Sequence, residues 1–274
     1  MGIVLALSWL IVLPNLLLGQ LRISKDESPQ RLFAGEGRSL QVTLQNPDSE
    51  TIEVSLRTQI YQTTSATAIP LGQPQDWKRL QVLPHQTVRE SVSLSFPSVL
   101  SGTRFLVRWM DDQNKVVGNS SVMVYPTNLL KALGPLAGEK PLGLFDPQGQ
   151  LKPLLKAAGL EFEDLEETGL RGFSGKLAIV GPVEAKEESA ELVGQMASLA
   201  KSGVGVVWIQ RPSNDSEELE PSLYPVSVGR GAITIVRPKV ISRIGENPTA
   251  QLNLIRSAEL ALNPDLLSLP LSKP

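Results

Sequence analysis

The stretch GVGVVWIQRP, residues 203–212, is the clearest indication of the fold in this chain of 274 residues. Its apolar run has no alternating polar residues and is bounded by glycine and proline, which is typical of a short strand buried on both faces. A second run of this kind is GKLAIVGP, residues 175–182. Because strands covered on both sides occur mainly in parallel sheets, the two runs predict a parallel sheet with helices on each face.

Segments with helical signals alternate with further short strands in this half of the chain. The patterns predict strands at 141–146, 160–166 and 231–238, and helices at about 149–158, 184–202 and 248–262. The last helix has a clear start signal, since Asn247 is a favourable N-cap and Pro248 occupies the first helical position. The alternation predicts a three-layer α/β domain with a mostly parallel sheet, of the flavodoxin-like kind.

The first half of the chain has a period of two instead. SLQVTLQNP, residues 39–47, places Leu40, Val42 and Leu44 on one face and ends in an Asn-Pro turn signal. Similar alternation is present at 52–61, 79–83, 87–96, 103–110 and 116–126. About seven short strands separated by turns are typical of an immunoglobulin-like β-sandwich.

These patterns predict how the chain is organised. The segments are an N-terminal signal peptide or anchor at 1–19, an immunoglobulin-like sandwich at 20–126, a linker at 127–140, the α/β domain at 141–264 and a tail at 265–274.

The α/β half also resembles a known family. The runs GLFDPQGQLKPLLKAAGLEFEDLE (143–166), GKLAIVGP and KSGVGVVWIQ (201–210) are similar to the class I glutamine amidotransferase-like fold. Working enzymes of that superfamily place a cysteine on a sharp turn after a central strand, with a histidine and an acid later in the chain. At the corresponding position this chain has Gln210, Arg211 and Pro212, and it has no cysteine and no histidine after His85. The resemblance therefore implies the fold and not the activity.

In an open parallel sheet, ligands bind at the carboxyl ends of the strands. The candidate residues at those ends are Asp146, Gly149, Gly181, Gln210 and Arg211. One interpretation is that Asp146 and Arg211 pair or hold a polar ligand. The other is that Asp146 caps a helix within the turn DPQG while Arg211 is solvated, and the Asp-Pro-x-Gly signal favours it.

Composition excludes several classes of function. With 26 basic and 28 acidic residues the formal net charge is −2, and no Lys/Arg-rich run is present, so nucleic-acid binding is not expected. The absence of cysteine excludes thiolate catalysis and cysteine-ligated metals. The one histidine, His85, lies in the predicted turn VLPHQT, away from any catalytic pattern. We expect no cofactor and no metal site.

The N-terminus indicates the compartment. MGIVLALSWLIVLPNLLLGQ has an apolar run, a break at Pro14-Asn15 and a small residue, Gly19, before the first polar stretch. This is the layout of a secretory signal peptide with cleavage near Gly19, although no basic residue precedes the apolar run. We therefore expect export to a periplasmic or extracellular location, and membrane contact only if the segment is not cleaved.

The sequence leaves two functions open. The first is an exported, non-enzymatic binding or assembly protein of the cell envelope, in which the sandwich and a catalytically vacant α/β domain bind an envelope or extracellular protein partner. The second is a small polar-ligand sensor or cryptic hydrolase that uses the strand-end cleft of the α/β domain. The missing nucleophile favours the first.

Overall fold

The computed structural model describes residues 21–183, 190–210, 223–236, 244–263 and 265. The N-terminal segment, Arg211, the start of the helix predicted at 184–202 and nearly all of the tail lie outside the described residues. The chain divides into two compact units. One contains Ser39–Leu94, Arg104–Val122 and the residues up to Gln30; the other contains Arg31–Arg38, Ser95–Thr103 and the residues from Met123 onward.

Residues 21–125 contain strands and turns in two sheets, ordered β1-β3-β6 and β2-β8-β7-β4-β5. The strands are β1 (Arg22–Ile23), β2 (Gln30–Phe33), β3 (Gly35–Gln45), β4 (Ile52–Thr63), β5 (Ala68–Val82), β6 (Thr87–Phe96), β7 (Thr103–Met110) and β8 (Val116–Tyr125). The pairs β1–β3, β4–β5 and β4–β7 are antiparallel.

Alternating side chains of these strands are buried, as the period of two predicts. Leu40, Val42 and Leu44 of β3 are all buried. Trp109 of β7 is fully buried, and its indole Nε1 donates a hydrogen bond to Ser120 Oγ at 3.0 Å. Because that partner satisfies the only polar atom of the ring, the core accommodates a tryptophan without an unpaired donor.

Strand β5 is much longer than the strand predicted at 79–83, and it contains a bulge. The register with β4 shifts between Leu56 and Arg57, so that Trp77 is an extra residue on β5. Its ring packs edge-on against Trp109, with centroids 5.0 Å apart and the planes at 60°. The bulge thereby turns a side chain of an edge strand towards the core.

The second half of the chain forms one six-stranded sheet, ordered β10-β9-β11-β12-β14-β13. The strands are β9 (Leu142–Phe145), β10 (Phe162–Asp164), β11 (Leu177–Val180), β12 (Gly205–Ile209), β13 (Leu223–Val228) and β14 (Gly231–Val236). The helices are α1 (Leu133–Ala137), α2 (Lys152–Ala157), α3 (Leu165–Thr168), α4 (Ala190–Ser202) and α5 (Pro248–Leu262), with short 3₁₀ turns at Leu129–Ala132 and Leu170–Gly172. Within the described part of this sheet five strands are parallel, and β13 alone pairs antiparallel, with β14. The predicted mostly parallel sheet is confirmed.

Each face of this sheet has its own hydrophobic core. Successive residues of β11 belong to alternate cores, with Ile179 on one side and Val180 on the other. The first core includes Leu254 of α5 and Leu155 of α2, and the second includes Met196 of α4. Helices therefore cover both faces, which explains why β11 and β12 have no polar residue at any position.

Several predicted boundaries differ from the structure. The segment predicted as a strand at 160–166 ends at Asp164 and continues as α3, because Asp164 accepts the N–H of Glu166 at 3.1 Å and begins a helical turn. Strand β13 was not predicted. Helix α5 begins as predicted, with Asn247 Oδ1 accepting the N–H of Thr249 at 2.9 Å. Among the described residues, none of the helices has the length and apolar character needed to cross a membrane.

Candidate functional site

The order of the parallel strands changes direction between β9 and β11. Strand β10 follows β9 in the chain and lies on one side of it, whereas β11 lies on the other side. The connections that leave the carboxyl ends of β9 and β11 therefore diverge, and a crevice forms outside the sheet where they part. Ligands of open α/β sheets bind preferentially at such a point.

Asp146 follows β9 directly and serves the helix that comes next. The residue is 1% exposed, and its Oδ2 accepts the N–H groups of Leu151 at 2.7 Å and Lys152 at 2.9 Å. These are donors at the start of α2 that have no partner inside the helix. Gly149, with φ +64°, donates its N–H to Asp146 O at 2.8 Å and completes the turn. This is the capping role that the DPQG signal favours.

Gly181 approaches the same carboxylate from the end of β11. Its N–H donates to Phe145 O at 2.7 Å, and a Cβ at this position would lie 2.9 Å from Asp146 Oδ1. Oδ1 is buried and accepts no hydrogen bond from the described residues. The structure thus brings Asp146, Gly149 and Gly181 together. Because Gly181 has no side chain, the buried carboxyl of Asp146 fits beside it.

The other two predicted site residues belong to a strand further along the sheet. Gln210 directly follows β12, and its backbone N–H donates to Val236 O at 2.9 Å. Strand β11 lies between β9 and β12. It therefore separates Asp146, which follows β9, from Gln210, which follows β12. The predicted pairing of Asp146 with Arg211 concerns a residue outside the described part of the chain.

An ion-pair cluster lies beside the Asp146 turn. Lys152 Nζ is 2.6 Å from Asp164 Oδ2 and 2.7 Å from Glu166 Oε1, with the three side chains between 25% and 31% exposed. The hydrogen bond to Asp164, followed by that to Glu166, raises the pKa of Lys152, and the hydrogen bond from Lys152 lowers the pKa of Asp164. Glu166 Oε1 also accepts the N–H of Asp146 at 3.2 Å. These contacts connect α2, β10 and α3 to the residue that follows β9.

Next to this cluster is an open pocket of about 460 Å³ at the point where the strand order changes. Four of its lining side chains are apolar and three are polar: Phe145, Pro147, Val183 and Leu192, and Glu166, Glu191 and Gln195. Val183 and Leu192 are buried, whereas Glu191 is 71% exposed at the side chain. Gln195 Nε2 donates to Glu191 Oε1 at 3.2 Å. The pocket has an apolar base and acidic groups at its opening.

The strand-end predictions did not include the pocket residues of α4. Leu192 and Gln195 lie well after β11 in the chain, and they reach the site only because α4 covers one face of the sheet and begins near the carboxyl ends of β9 and β11. The available signal was Glu166, which ends the predicted second strand. Together with the rule that ligands bind where strand order reverses, it indicated the edge at which the pocket lies but not the helix that completes the pocket.

A second pocket, of about 510 Å³, lies on β4 and β5. It is lined by Ser55, Leu56, Arg57, Asp76, Trp77, Lys78, Arg79 and Asp112. Its three cations are already paired: Arg57 with Asp76, Lys78 with Glu90, and Arg79 with Glu53. Charged side chains and a bulge on an edge strand commonly prevent pairing with other chains, and this surface has both. In the described part of the chain, no three His, Cys, Asp or Glu side chains are grouped as metal ligands.

Comparisons with known proteins give no family. No family model and no curated protein matches the chain. Among solved structures it is similar to the Pseudomonas fluorescens alkylpurine DNA glycosylase AlkC bound to DNA containing an abasic site analog, at 13% identity over 39% of this chain and 31% of that one, with a TM-score of 0.28. It is also similar to β-glucosidases from Listeria innocua (12% identity, 39% of this chain and 16% of that one, TM-score 0.29) and Kluyveromyces marxianus (12%, 38% and 13%, TM-score 0.27). The chain spans less than a third of each matched structure, and at these TM-scores the similarity carries no argument.

Proposed function

We propose that the protein is an exported, non-enzymatic binding or assembly protein of the cell envelope that holds a protein partner at the carboxyl edge of its α/β unit. The observation that carries the proposal is the pocket at the change of strand order. It is open, it lies where α/β sheets commonly bind ligands, and its base is apolar.

The ionisable groups around the pocket support binding rather than catalysis. Asp146 is occupied with the start of α2, and Lys152 is held by two carboxylates. A group that acts as a general base or acid must be within reach of the substrate and free to exchange a proton. Asp146 is buried and Lys152 is engaged on two sides, so both act here as structural groups.

We also propose a fold family for each half of the chain. The order β10-β9-β11-β12, in which the second strand lies outside the first, is that of flavodoxin-like sheets, and it supports a glutamine amidotransferase-like, three-layer domain. Two sheets with alternating buried residues and a buried tryptophan support an immunoglobulin-like sandwich. The apolar N-terminal segment supports export.

Affinity capture from the protein's own cell envelope tests the proposal. The Gln195→Trp variant fills the pocket from a half-exposed position on α4, and Ser198→Trp places the same ring on an exposed position of that helix which does not line the pocket. We expect a stoichiometric protein partner that the wild type and Ser198→Trp retain and Gln195→Trp loses. Sequencing the N-terminus of the captured protein tests export, with a start near Gly19 expected after signal removal.

Two results contradict the proposal. A monomer without any stoichiometric partner excludes the binding role and favours the small polar-ligand sensor instead. A partner that binds Gln195→Trp as well as the wild type places the contact elsewhere on the molecule.

A further inference from the structure

We infer that the pocket at the change of strand order accepts a basic side chain of the partner, a guanidinium or ammonium group on an apolar stem. This inference rests on the proposed function and names the chemical class that the site selects. Three observations support it: the negative charge at the opening, the apolar base, and the ion pairs that neighbouring cations already make.

The opening of the pocket is acidic. Glu166 and Glu191 are the ionisable residues among its described lining, and neither Lys nor Arg is among them. Lys152, whose Nζ lies 2.7 Å from Glu166 Oε1, is already engaged by Asp164 and Glu166. Arg171 lies 3.8 Å from Glu191, and both side chains are more than 70% exposed. Such an exposed ion pair contributes little free energy. Glu166 is thus already paired with Lys152, whereas Glu191, which is 71% exposed and accepts a hydrogen bond from Gln195 Nε2, remains able to attract a cation from a partner.

The base of the pocket is apolar and fits an aliphatic stem. Phe145 and Pro147 are the accessible apolar residues of the lining, above the buried Val183 and Leu192, and their surface gains free energy when methylene groups cover it. Lysine and arginine bury their stems along apolar surface while their charged ends stay at a polar rim. An acidic ligand would be repelled by Glu191 at the opening, and a purely apolar ligand would gain nothing from its charge, so a basic side chain matches both parts of the site.

The test uses n-butylguanidinium as a probe of this chemistry and n-butylurea as its uncharged analogue. Binding is followed in the full-length protein through the methyl resonances of Leu192 and Val183 in ¹³C-labelled samples. We expect n-butylguanidinium to shift these resonances saturably, with weaker binding at higher salt. Glu191→Gln should weaken binding about fivefold, the effect of about 1 kcal/mol for one partly exposed charge pair. The control Glu167→Gln removes a neighbouring exposed carboxylate of α3 that does not line the pocket, and it should leave the affinity unchanged.

The inference is overturned if n-butylurea binds as tightly as n-butylguanidinium, if Glu167→Gln weakens binding as much as Glu191→Gln, or if neither methyl responds. These outcomes are separable from the proposed function. A partner that is captured by the wild type and lost by Gln195→Trp preserves the binding role even when the probe shows no preference for the cation. A probe that prefers the cation and depends on Glu191 establishes that the pocket selects a basic group, whereas the absence of a captured partner counts against the proposed function alone.

Discussion

Replacing Asp146 with alanine should unfold the α/β unit more easily, and the structure sets the size of the effect. Asp146 is 1% exposed, and its carboxylate accepts the N–H groups of Leu151 and Lys152. Hydrogen bonds to a charged group contribute about 1.5–3 kcal/mol each, and the bond from Leu151 is buried, where water does not replace it. Because the second carboxylate oxygen is buried without a partner, we take the lower end of this range for both bonds. The expected loss is about 3 kcal/mol, or about 6–12 °C in Tm for a chain of this size.

Urea and thermal unfolding followed by circular dichroism measure this loss. Asp146→Asn should recover most of the stability, because one amide oxygen can still accept both N–H groups. The matched control is Asp111→Ala, since Asp111 Oδ1 also accepts two backbone N–H groups, at 3.0 and 2.8 Å, but in an exposed turn where water can replace it. The free energy of unfolding of Asp111→Ala should fall by only about 1 kcal/mol.

The reasoning is refuted if Asp146→Ala costs no more than Asp111→Ala, because burial of the cap would then have no energetic consequence. A second refutation comes from binding. If Asp146→Asn folds as the wild type does but no longer captures the partner, the carboxylate acts on the partner and not on the helix.

Three further predictions follow from single contacts. Gly231→Ala would place a Cβ 2.6 Å from the carbonyl oxygens of both Ala200 and Val204, so we expect a loss of about 3 kcal/mol in urea unfolding. Lys152→Met should flatten the pH dependence of stability at both extremes. The lowered pKa of its partner carboxylate stabilises the fold above the ordinary carboxyl pKa and is lost in acid, whereas the raised lysine pKa stabilises it below the ordinary lysine pKa and is lost in alkali. Trp77→Ala removes the edge-on contact with the buried indole and should cost about 2 kcal/mol, seen as a lower urea midpoint.

The elements that sequence patterns predicted best are those with a local physical cause. Strands β6 and β7 have the predicted bounds, because alternating apolar residues and turn signals are local. Helix α5 begins where Asn247 and Pro248 indicated. Strand β5 was predicted too short, because Pro70, Gly72 and Pro74 interrupt its pattern and the pairing with β4 overrides local preference.

The candidate site was predicted only in part, because some of its residues meet through tertiary packing and not through local sequence. Asp146, Gly149 and Gly181 follow from the rule that functional side chains cluster at strand ends, and the structure places them together. Lys152 and Leu192 could not be assigned in this way, because a helical pattern indicates which face is buried but not which strand end it covers.

The sequence by itself determined where most of the strands and helices form, that the central strands are buried on both faces, and that neither a thiol nor a second histidine is available for catalysis. The tertiary structure decided the strand order, the antiparallel edge strand β13 and the acidic pocket between β9, β11 and α4. Local periodicity records only whether a side chain faces a core or solvent. The position of Phe145 beside Val183 and Leu192 depends on how whole elements pack, since residues far apart in the chain meet only when the sheet and its helices assemble.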